Sequence, residues 1–124
     1  PGKLDDQEIK RMRQHAAFTQ AILSKIAGFS DLAELAASHH EHLDGKGYHR
    51  GIDGSRMPTP ARILAVADMY EALAARRPYR QDMTSEQVDS ILNRNAGSRI
   101  CPQAYEGLNA YLAGGGYTPM KVAA

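Results

Sequence analysis

The chain has 124 residues, of which 43% are hydrophobic and 23% are charged, and its formal net charge is +1. These values are ordinary for one soluble globular domain, and so small a charge gives no general reason to expect nucleic acid or an anionic membrane as partner. The single cysteine, Cys101, excludes an internal disulfide and favours a reducing compartment. No membrane segment and no signal peptide are evident, so a cytoplasmic location is expected.

The hydrophobic pattern predicts helices along the whole chain, and the expected fold class is therefore all-α. A capping-box pattern beginning at Asp5 predicts the start of the first helix, and a second helix is predicted over residues 16–26. Ser30 or Asp31 is expected to cap a third helix, whose apolar face continues to His39.

The helical pattern stops between residues 43 and 58, where four glycines predict an irregular loop. Loops of this length inside compact domains are usually functional or disordered. Thr59 is then expected to cap a helix with Pro60 at its first position. Because this fourth helix is apolar nearly all round, it is expected to be central and buried.

The last part of the sequence predicts two more helices. A capping box beginning at Thr84 starts a helix that is expected to stop at Gly97, and a final helix is predicted over residues 102–113. The predicted organisation is one domain over residues 1–113 and a patternless tail over residues 114–124.

Histidines and one aspartate carry the expected chemistry. Asp68 lies in the middle of the apolar fourth helix, where a carboxylate costs several kcal/mol unless it is paired or bound to a cation. A structural aspartate bonded to an arginine or to backbone N–H groups is an equal alternative. With His39 and His40 before the glycine-rich loop, Asp68 favours a site for Fe, Mn, Zn or Ni over Mg or Ca. His15 alone would be interpreted as an ordinary surface or core histidine. It becomes a candidate metal ligand only in combination with His39, His40 and Asp68.

Two further segments are typical of substrate contacts. In the loop, glycines such as Gly47 allow close approach to a ligand, and Tyr48 offers a flat ring and a hydroxyl, although a simple turn is the alternative. Guanidinium groups in the run over residues 76–80 would suit a phosphorylated substrate. A solvated charge run at a helix C-terminus explains that segment equally well.

Together these segments resemble the HD-GYP subgroup of the HD-domain metal-dependent phosphohydrolases. The matching stretches are PGKL at 1–4, His15, HHEHLDGKGY at 39–48, ARILAVADMYEAL at 61–73 and RRPYR at 76–80. The resemblance implies an all-α, HD-domain-like helical bundle with a centre of two or three divalent transition metal ions, Fe or Mn first and Ni or Zn next. It also implies hydrolysis of cyclic di-GMP to pGpG or GMP in bacterial signalling.

By this resemblance, four residues are expected to be metal ligands: His15, His39, His40 and Asp68. Four others are expected to line the cleft or hold the substrate: Gly47, Tyr48, Arg77 and Arg80. The family also implies partners beyond cyclic di-GMP, namely diguanylate cyclase (GGDEF-type) domains and an upstream sensory or receiver domain.

Two departures from the family pattern qualify these expectations. The sequence contains no His-Asp dipeptide, and the family's pair lies just before the PGKL segment, so an N-terminally truncated domain with little activity of its own is expected. His49 stands where the family has proline, which predicts a less rigid loop, and His42 is expected to be surface-exposed. The alternatives are a degenerate module that binds cyclic di-GMP or a cyclase without turnover, and a phosphohydrolase acting on another nucleotide.

Overall fold

The computed structural model describes residues 4–76 and 81–115, and within these ranges it contains α-helices and no β-strand. The helices are α1 (Asp6–Arg13), α2 (His15–Leu23), α3 (Ser30–Ala37), α4 (Thr59–Ala74), α5 (Ser85–Asn95) and α6 (Pro102–Ala113). The predicted all-α class is confirmed. No helix in the described ranges is long and apolar enough to cross a membrane. The predictions for Arg77 and Arg80 lie outside the described residues.

The capping box predicted at the start of α1 is present. The Glu8 N–H donates to Asp5 Oδ1 at 2.8 Å, and the Asp5 N–H donates to Glu8 Oε2 at 2.9 Å. The cap predicted for α3 is wrong, because Phe29 occupies that position and makes no side-chain cap bond. The Ala33 N–H already bonds the Phe29 carbonyl at 2.8 Å, so Ser30 is inside the helix rather than at its cap.

Helices α2 and α3 pack against each other through alanines. Ala16 on α2 and Ala33 and Ala37 on α3 are all fully buried. Such small side chains allow two helix backbones to approach closely. This packing brings the start of α2 towards the end of α3, although the two positions are far apart in sequence.

Helices α4, α5 and α6 share a core of larger side chains. Its buried members are Val66, Val88, Leu92, Ile100 and Tyr105. The capping box of α5 is formed as predicted from the sequence, and α6 has the predicted bounds. Helix α5 ends at Asn95, two residues before Gly97, whose φ of 84° is a conformation that glycine adopts without strain.

Helix α4 differs from the prediction in both its cap and its burial. Thr59 is its first residue and Pro58 takes the cap position, since the Ala61 N–H bonds the Pro58 carbonyl at 2.9 Å. The helix is not buried all round, because Ile63 is 54% exposed. The described elements that pack on α4, namely α3, α5 and α6, leave that face open.

Candidate metal centre

Three histidines meet where α2 begins and α3 ends. His15 is the first residue of α2, while His39 and His40 lie in the turn that follows α3. One ring nitrogen from each histidine lies within 4.8 Å of the others. The structure therefore brings together three of the four residues predicted to bind metal.

The hydrogen bonds of two of these rings point their free nitrogens at each other. His15 Nδ1 lies 2.6 Å from the Met12 carbonyl oxygen, and His39 Nδ1 lies 2.5 Å from the Ala36 carbonyl oxygen. Because a carbonyl only accepts, each Nδ1 carries the proton and each Nε2 presents a lone pair in the neutral ring. Nevertheless, the two Nε2 atoms are 3.0 Å apart.

Two lone pairs at this distance repel each other unless a cation lies between them. Two imidazole nitrogens that share one metal ion, each about 2.1 Å from it, lie roughly 3 Å apart. An Nδ1–H bonded to a backbone carbonyl is also the usual way in which a ligating histidine is oriented. The donor chemistry and the spacing both fit a bound divalent metal.

The third histidine, His40, is held in its neutral form. Burial, followed by the charges of the neighbouring rings of His39, His15 and His42 in that order, lowers its pKa to about 4. Since only the neutral imidazole binds a metal ion, His40 is in the ligating form at neutral pH.

Asp68 reaches this cluster through His40 but is not buried as the sequence suggested. Its Oδ2 lies 3.4 Å from His40 Nδ1, and its side chain is 39% exposed. Because this side chain on α4 is more than one third exposed, the argument from the cost of burying a carboxylate does not apply. Its role as a metal ligand stays a prediction.

Gly47 allows the loop to lie directly against the turn that carries His39 and His40. A Cβ atom at this position would be 2.5 Å from the His40 carbonyl oxygen and from the His42 nitrogen. The Tyr48 N–H donates to the same His40 carbonyl at 3.1 Å, and the ring centroids of Tyr48 and His40 are 4.6 Å apart. Gly47 thus seats Tyr48 beside the histidines.

Glu41 is a central residue of this region that the sequence did not single out. It is 1% exposed, and its carboxylate accepts N–H groups from four consecutive loop residues. Oε1 accepts from His49, Arg50 and Gly51 at 3.3, 2.7 and 3.2 Å, and Oε2 accepts from Ile52 at 3.1 Å. In the sequence, Glu41 is distinguished only by its position next to an irregular loop, whose backbone N–H groups need acceptors. Other acidic residues nearby have the same position, so the sequence does not single out Glu41.

His49 restrains the loop through its side chain, which was not expected for a residue in place of proline. Its Nε2 lies 2.8 Å from Gln20 Oε1 on α2. The Gln20 amide donates to Glu34 Oε1 at 2.5 Å, and Arg50 Nη1 donates to Glu34 Oε2 at 2.5 Å. These side-chain contacts restrain the loop, whereas a less rigid loop was expected with histidine in place of proline.

His42 is partly buried, and the prediction that it is surface-exposed is wrong. Its side chain is 16% exposed and lies 3.9 Å from the Asp44 carboxylate. The cause is the packing of this segment on the turn between α5 and α6, where the N–H groups of Leu43 and Asp44 donate to the carbonyls of Arg99 and Ser98. Burial, and then the charge of Arg99, lowers the pKa of His42.

A protein-family model described as HD domain matches residues 1–103. A 3'3'-cGAMP-specific phosphodiesterase of Vibrio cholerae is 41% identical over 112 residues, which are 90% of this chain and 24% of that protein. A cyclic di-GMP phosphodiesterase of Thermotoga maritima is 35% identical over 108 residues, covering 86% of this chain and 29% of that protein. A cyclic di-GMP phosphodiesterase response regulator of Xanthomonas campestris is 36% identical, with 87% and 29% covered.

The chain belongs to the HD domain family, as its sequence predicted, and the names of these relatives agree with the HD-GYP subgroup. It spans about a quarter of the length of the relatives it matches.

Proposed function

We propose that this chain is part of the catalytic domain of a metal-dependent phosphodiesterase that hydrolyses cyclic di-GMP to pGpG or GMP. The observation that carries the proposal is the pair of opposed Nε2 atoms of His15 and His39, each oriented by a backbone carbonyl, with His40 beside them. The names of the relatives support a cyclic dinucleotide as the substrate class.

In this proposal the metal ligands are His15, His39, His40 and Asp68. Imidazole and carboxylate donors suit divalent transition metals, and the HD-GYP resemblance favours Fe or Mn over Ni or Zn, with two or three ions in a complete domain. A bound metal supplies Lewis acidity at the phosphoryl oxygens and lowers the pKa of water.

The loop residues would shape the cleft on the open side of the histidines. Gly47 keeps the backbone close to the turn after α3, so that Tyr48 presents its ring and hydroxyl beside His40. Burial raises the pKa of Tyr48, which keeps its hydroxyl protonated and able to donate to a phosphate oxygen. Arg77 and Arg80 would hold the phosphates or guanine bases, and contacts with a GGDEF-type cyclase or an upstream sensory domain belong to the same proposal.

A second candidate substrate is 3'3'-cGAMP. The Vibrio cholerae relative that is 41% identical to this chain is named for this substrate. Both molecules are cyclic dinucleotides with the same phosphodiester chemistry, so the metal-binding residues would act in the same way on each. The choice between them would depend on base contacts.

The test measures metal content and hydrolysis of both cyclic dinucleotides with the full-length protein. The wild type is expected to retain more than one equivalent of Fe or Mn, whereas His39→Ala and Asp68→Ala should lose metal and at least about 100-fold in turnover. Asp31→Ala removes an exposed carboxylate from α3 and should change neither quantity. A metal-free wild type that binds cyclic di-GMP without hydrolysing it would establish a degenerate binding module instead.

A further inference from the structure

Arg13 lies beside the candidate metal centre, but it is not among the residues from which that centre was predicted. It is the last residue of α1, it is exposed, and it stands two positions before His15. Its guanidinium carbon is 5.2 Å from the centroid of the Tyr48 ring. The Tyr48 ring is also 4.6 Å from that of His40 and 6.3 Å from that of His15, so Arg13 and the histidines lie near the same aromatic ring.

Two features of the fold hold Arg13 in this place. The preceding carbonyl, that of Met12, is bonded to His15 Nδ1, which fixes the backbone between α1 and α2. The Tyr48 ring attracts the guanidinium by a cation–π interaction. A guanidinium above an aromatic face keeps N–H donors free at its edge, and these are arranged as a fork that matches phosphate.

The charge of Arg13 has no carboxylate partner within 4.0 Å among residues 4–76 and 81–115. A cation at the margin of a site built to hold further cations is repelled by them, unless an anion enters the same space. A phosphodiester is such an anion, and it binds arginine through charge-assisted, often bidentate hydrogen bonds.

We propose that Arg13 is a substrate-binding residue that donates to a phosphodiester oxygen next to the histidine cluster, with Tyr48 as the platform that positions its guanidinium. This inference rests on the proposed function, because it assumes a phosphodiester substrate at that cluster. It adds a residue from α1 to a site otherwise built from the start of α2, the turn after α3, the loop and α4.

The test compares Arg13→Gln with Arg11→Gln in the full-length, metal-loaded protein. Arg11 is also exposed and basic in the last turn of α1, so it controls for the loss of a charge from the same helix. Arg13→Gln is expected to raise both the Kd and the KM for cyclic di-GMP about tenfold, as for the loss of one charge-assisted hydrogen bond, with metal content unchanged. Arg13→Lys keeps the charge without the fork and should fall between wild type and Arg13→Gln, while Arg11→Gln should stay near wild type.

A second substrate separates a phosphate contact from a base contact. Bis(p-nitrophenyl) phosphate is a diester without a nucleobase, and Arg13→Gln should raise its KM as well. An effect on cyclic di-GMP alone would overturn the phosphate assignment, and so would an unchanged Kd in Arg13→Gln. If the wild type itself neither retains metal nor binds a cyclic dinucleotide, the proposed function fails first, and Arg13 loses its role with it.

Discussion

Helices α4 to α6 and helices α1 to α3 are held together by different kinds of contact. The first group, the scaffold half, buries large side chains in one cluster that includes Val66, Leu92 and Tyr105. The second group, together with the turn and loop over residues 38–58, forms the site half. In its helices the fully buried hydrophobic residues are alanines, and large side chains such as Phe18 (59% exposed) and Ile22 (63% exposed) lie at the surface of the described structure.

The site half compensates with polar contacts that also set the geometry of the histidines. Glu41 holds four loop N–H groups, and the Gln20–His49 contact ties the same loop to α2. Apolar burial is non-directional, whereas hydrogen bonds fix the position of each atom they join. The two halves are therefore stabilised in different ways: the scaffold half by apolar burial, and the site half by directional polar contacts that also position the histidines.

Among the substitutions that test this comparison, Glu41→Ala is expected to cause the largest loss of stability. The substitution leaves the N–H groups of residues 49–52, of which that of Ile52 is buried, without their acceptor, and the free energy of unfolding should fall by about 3 to 5 kcal/mol. The same change releases the loop that carries Tyr48, so metal retention should fall too. Denaturant unfolding and elemental analysis measure the two effects.

Glu41→Gln is the matched control because it keeps the shape and one acceptor oxygen of the side chain. Its cost should be clearly smaller than that of Glu41→Ala, since Oε1 accepts three of the four N–H groups. Equal stability of Glu41→Ala and wild type would show that the loop is held by other contacts.

Leu92→Ala tests the scaffold half and should have the next largest effect. Leu92 is 2% exposed in the core shared by α4, α5 and α6, and truncation of such a leucine costs about 3 kcal/mol. Below its lowered melting temperature, the variant should still retain metal, because no site residue has changed. Ile63→Ala, at a position 54% exposed, should cost much less. Loss of metal from folded Leu92→Ala would mean that the two halves are not separable in this way.

In both halves, local features were easier to predict from the sequence than contacts between elements. The capping box at Thr84 and the helix over residues 102–113 follow from local chemistry and from the period of apolar residues. The exposure of Ile63 could not be predicted, since it depends on which elements cover α4 and not on the composition of α4 itself.

The candidate site residues were chosen from residue type and from the family resemblance, but their arrangement could not be predicted. Nothing in the spacing of His15 and His39 indicates that two carbonyls would turn their Nε2 atoms towards each other. The central role of Glu41 was also missed, because a buried carboxylate that accepts backbone N–H groups leaves no pairing signal in a single sequence. Arg13 was missed because its contact with Tyr48 joins two segments distant in the chain.

The smallest predicted effect compares the same capping motif in the two halves. Thr84→Ala removes the α5 cap, and the free energy of unfolding should fall by about 1 kcal/mol, because α5 contributes Val88 and Leu92 to the core. Asp5→Ala removes the cap of α1, which contains no buried residue, so that helix should fray locally with little change in global stability. Hydrogen exchange should show faster exchange in α1 alone for Asp5→Ala. An equal loss of global stability in both variants would show that α1 unfolds together with the scaffold half. The two halves would then form one cooperative unit.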